Sequence, residues 1–61
     1  MERKIYVAWL DAEREAERGN GAQHSYYLGK CVALTEMFAA LKDIPFHHAS
    51  AQLVAMKNRG E

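Results

Sequence analysis

GKCVALTEMFAALKD, residues 29 to 43, is the stretch on which the fold turns. Extended back to Tyr26, the sixteen residues to Leu41 carry only two charges, Lys30 and Glu36. Tyr27, Cys31, Leu34, Phe38 and Leu41 step by four, three, four and three, which is the seam of an α-helix. Beside it runs a second stripe, Leu28, Val32, Thr35 and Ala39, and behind it a third, Tyr26, Ala33, Met37 and Ala40. A helix with apolar stripes on three sides has to be packed on more than one of them. Gly29 and Ala33 add a small-xxx-small step along which another helix can approach closely.

Ser25 is the expected N-cap of this helix and Lys42 its expected end, giving a helix over about 25–42. Upstream, GNG at Gly19 to Gly21 is turn and helix-stop chemistry. It closes a first segment in which Ile5, Trp9, Ala12 and Ala16 recur at four, three and four. The opening IYVAWL has the composition of a strand, but the DAEREAER that follows lacks glycine, proline and β-branched residues, and it decides for a helix over 2–18. Asp11, Glu13, Arg14, Glu15, Glu17 and Arg18 make the second half of that helix a solvated surface with i,i+3 pairing. Downstream, Pro45 forces Ile44 out of helical geometry and can itself open a new helix. Phe46, Ala49, Leu53 and Met56 then recur at three, four and three, which predicts a third helix over 45–58.

The expected fold is therefore all-α, one domain over residues 1–61: a helical hairpin plus a short third helix. Its expected core is Ile5, Trp9, Tyr27, Cys31, Leu34, Phe38, Leu41, Phe46, Leu53 and Met56. A chain of 61 residues buries only about 60% of the surface its unfolded form exposes, so small domains lean on disulfides, metals or oligomerisation. Cys31 is the only cysteine, so no internal disulfide forms, and a reduced, cytoplasmic setting is expected. No basic start followed by a long apolar run is present, which argues against a signal peptide or a membrane span. Oligomerisation is the support that remains. Two short flanking helices do not cover three sides of the central one, and a second copy is expected to cover the rest. Tyr26, Gly29, Ala33, Met37 and Ala40 are the expected self-association face, and a C2 pair of such helices makes a four-helix core.

Chemistry-bearing residues are few. His24, His47, His48 and Cys31 are of metal-ligand type, but adjacent His47 and His48 project about 100° apart on a helix, whereas helical zinc pairs use i,i+4. The first turn of the third helix should hold one of these histidines against the core and the other in water. Cys31 lies on the inner seam, where cysteine is a small apolar filler. GNG follows a helix and is too short to cradle phosphate. No catalytic residue, metal or cofactor is expected, and the chain is not read as an enzyme. Eight basic residues balance eight acidic ones, so no global field draws nucleic acid or an anionic membrane, and little charge keeps copies apart.

The leading expectation is a small, self-associating protein-interaction module, a dimer first of all, with the size and style of bacterial or phage inhibitors, adaptors and accessory regulators. From a different class comes a DNA- or RNA-binding regulator, with Arg3 and Lys4 at one end of the chain and Lys57 and Arg59 at the other converging on a basic patch. A third reading is an oligomer holding a small ligand between subunits, with tyrosines and histidines as polar contacts.

Overall fold

In a computed structural model, residues 1–19 and 21–60 are described, and they form α1 (Glu2–Arg18), α2 (Ala22–Lys42) and α3 (Phe46–Asn58), with no strand among them. α1 and α2 form an antiparallel hairpin. Lys42 Nζ donates to both carboxylate oxygens of Glu2 at 3.3 Å, joining the start of one helix to the end of the other.

The hairpin turn explains two glycines. A Cβ on Gly19 would stand 3.2 Å from the Glu15 carbonyl of its own helix and 3.3 Å from Gln23 Cγ, so a larger residue there would make its neighbours give by a few tenths of an ångström. Gly21, at φ 62°, takes a backbone conformation that L side chains rarely adopt. The middle residue of the GNG signal, Asn20, lies outside the described residues. Since Gly21 already turns the chain, α2 starts at Ala22, earlier than the sequence suggests. Ser25 is consequently not the N-cap but an exposed residue within the first turns.

α2 ends in a Schellman arrangement. Ile44 N–H donates to the Ala39 carbonyl at 3.0 Å and Asp43 N–H to the Ala40 carbonyl at 3.3 Å, the 6→1 and 5→2 bonds of that motif. Asp43 sits at φ 55°, a left-handed conformation that costs a non-glycine residue roughly 1–2 kcal/mol. The two bonds, and Ile44 packed against the core, offset that cost. Pro45 then serves as the N-cap of α3.

One cluster holds the three helices together: Ile5, Tyr6 and Trp9 from α1, Phe38 and Ala39 from α2, and Ala49, Leu53 and Met56 from α3. Leu10, Cys31, Leu34 and Ile44 pack partly buried around it. Thr35 is the buried polar residue, satisfied because its Oγ1 donates to the Cys31 carbonyl at 2.8 Å. The chain exposes 4116 Å², close to the roughly 4,000 Å² expected of a folded monomer of this mass. A single copy is thus compact; what is unusual is the make-up of its surface.

Several expected core positions lie elsewhere. Tyr27, Cys31 and Leu34 are only half-buried, because α1 faces that half of α2 with Ala12 and Ala16, too short to cover them. Leu41 is 47% exposed and Phe46 45% exposed, so neither belongs to the core of the chain. Both flank the corner after α2, and the ion pair there shows that the nearest turn of α1 is its charged start, Glu2, Arg3 and Lys4. Tyr6, absent from the expected core, is almost fully buried.

Candidate functional site

The site is built by subtraction, from the parts of α2 that α1 and α3 leave uncovered. Of the 21 residues of α2 only Thr35, Phe38 and Ala39 are fully buried, although few of the others are charged. α1 takes the seam through Cys31, Leu34 and Phe38. The far half of the second stripe, Thr35 and Ala39, is buried, and Ala39 shares a cluster with Ala49, Leu53 and Met56 of α3. α3 has 13 residues and is about 20 Å long, and Leu28 and Val32 in the near half of the stripe remain exposed. The third stripe is exposed along its length. Tyr26 is 65% exposed and Met37 53% exposed, and Gly29, Ala33 and Ala40 are exposed between and beyond them. A Cβ built on Gly29 meets nothing within 4 Å. All five residues expected for self-association therefore share one open, mostly apolar face.

The four basic residues considered for nucleic acid do not share a surface in this way. Arg3 and Lys4 line a shallow hollow with Asp11, Arg59 lines a second with Glu2 and Lys42, and Lys57 lines a third with Glu13 and Glu17. Each hollow contains a carboxylate, so none offers the unbroken positive potential that a phosphate backbone needs. Lys57 Nζ donates to Glu13, and that bond, with the Glu13 charge, holds the ammonium above the usual lysine range. For the lysine, the contribution of this pair is present at neutral pH and is lost as pH rises through the raised value.

His47 and His48 meet edge to face with ring centroids 4.4 Å apart, and both are exposed. The expectation that one would turn to the core is corrected here: Ala49, the next residue, fills the inward position of that turn. His24 spends its Nδ1 on the carbonyl of Ala16, where it closes the last turn of α1. Among the described residues no three His, Cys, Asp or Glu side chains gather as a metal site requires.

Cys31 Sγ faces the Trp9 carbonyl at 4.0 Å. Burial first, and the nearby Glu13 charge second, push its thiol above the ordinary range, with Lys30 opposing. A thiol so placed stays protonated at neutral pH and is a poor nucleophile. At pH 7.4 a disulfide reagent is expected to modify folded Cys31 several-fold more slowly than free cysteine. In urea the two rates should converge. A folded-state rate above that of free cysteine would reveal an activated thiol instead.

Among the described residues no helix is long and apolar enough to cross a membrane. No protein-family model, no curated protein and no solved structure matches the chain, so the geometry alone carries the functional reading.

Proposed function

We propose that the chain is a small, non-enzymatic protein-interaction module that self-associates through the outer face of α2 and acts as an inhibitor, adaptor or accessory regulator of a protein partner. The observation that carries this reading is the uncovered face itself. Tyr26, Gly29, Ala33, Met37 and Ala40 run along a helix whose opposite side holds the fold together, and contiguous exposed apolar surface of this kind marks interaction sites. A closed C2 pair is the simplest assembly that covers such a face. Leu28 and Val32 extend the apolar surface beyond one helix crossing, which suits a chain that both pairs with itself and holds another protein.

Sedimentation equilibrium at micromolar concentration tests the reading, with an expected mass of twice the 6.9 kDa chain. Gly29→Leu sharpens the test, because the open space at Gly29 makes the substitution harmless to a single copy. Leucine's better helix propensity should even stabilise that copy by up to about 1 kcal/mol. In the pair, the bulky side chain forces the backbones apart, and the variant is expected to sediment as one chain while melting no lower. A wild type that keeps the mass of one chain up to millimolar concentration refutes self-association. A Gly29→Leu variant that keeps the doubled mass and melts higher removes Gly29 from the interface.

A further inference from the structure

We draw no further inference here: the strongest candidate, the outer face of α2 along Tyr26, Gly29, Ala33, Met37 and Ala40, belongs to the site already described and is an unpartnered apolar face with a stripe of small residues, and nothing in the structure shows what covers it.

Discussion

Phe38→Ala is expected to cost about 3–5 kcal/mol, the range for emptying a large aromatic side chain from a closed core. Phe38 is 0% exposed and lies where α1, α2 and α3 meet, with the Lys42 ammonium 5.7 Å above its ring. Truncation leaves a void in a cluster to which all three helices contribute, Leu53 and Ala49 of α3 among its fully buried members. A chain of this length has a total stability of roughly 3–9 kcal/mol, so the variant should be largely unfolded or close to it at room temperature. Urea titration followed by circular dichroism measures the loss. A change below about 1 kcal/mol would mean that the three helices do not meet at Phe38.

Trp9→Ala should be comparably severe, about 3–5 kcal/mol, for a different geometric reason. Trp9 is the wide element of the α1 stripe whose later members, Ala12 and Ala16, are small. It stacks against Tyr6 with centroids 6.4 Å apart and planes 24° apart, so its removal also takes away that ring contact. Both residues lie on the opposite side of the hairpin from the outer face of α2. The loss should therefore be the same at low and at high protein concentration. A cost that vanishes on dilution would place Trp9 in a contact between copies instead.

The limits of sequence reading are visible in particular residues. The three helical periods were legible because each is set by side-chain spacing, and the corner after Asp43 because proline leaves few alternatives. The start of α2 was misplaced because Ser25 carries a capping side chain, while the residue that opens the helix, Gly21, does so through a positive φ that leaves no mark beyond being glycine. Tyr6 was missed for a related reason. Its own stripe, Tyr6 and Leu10, runs beside the Ile5 and Trp9 seam, and reading one seam per helix leaves it out. The spacing of four between Tyr6 and Leu10 was the available signal. Leu41 and Phe46 fit their seams by number, but a seam says nothing of how far the covering helix extends. The face of Tyr26, Gly29, Ala33, Met37 and Ala40 could be marked from composition alone, because an apolar helix with short neighbours must leave some side open.

The corner at Asp43 bears on time as well as shape. Its two hydrogen bonds close between residues three and five apart, on the scale of helix formation, about a microsecond or less, whereas hydrophobic collapse of a whole chain can be slower. These bonds link only near neighbours in sequence, so the corner that aims α3 can close without Leu53 and Met56 having first reached Phe38. The direction of the third helix is thus encoded beside the corner and its packing far from it.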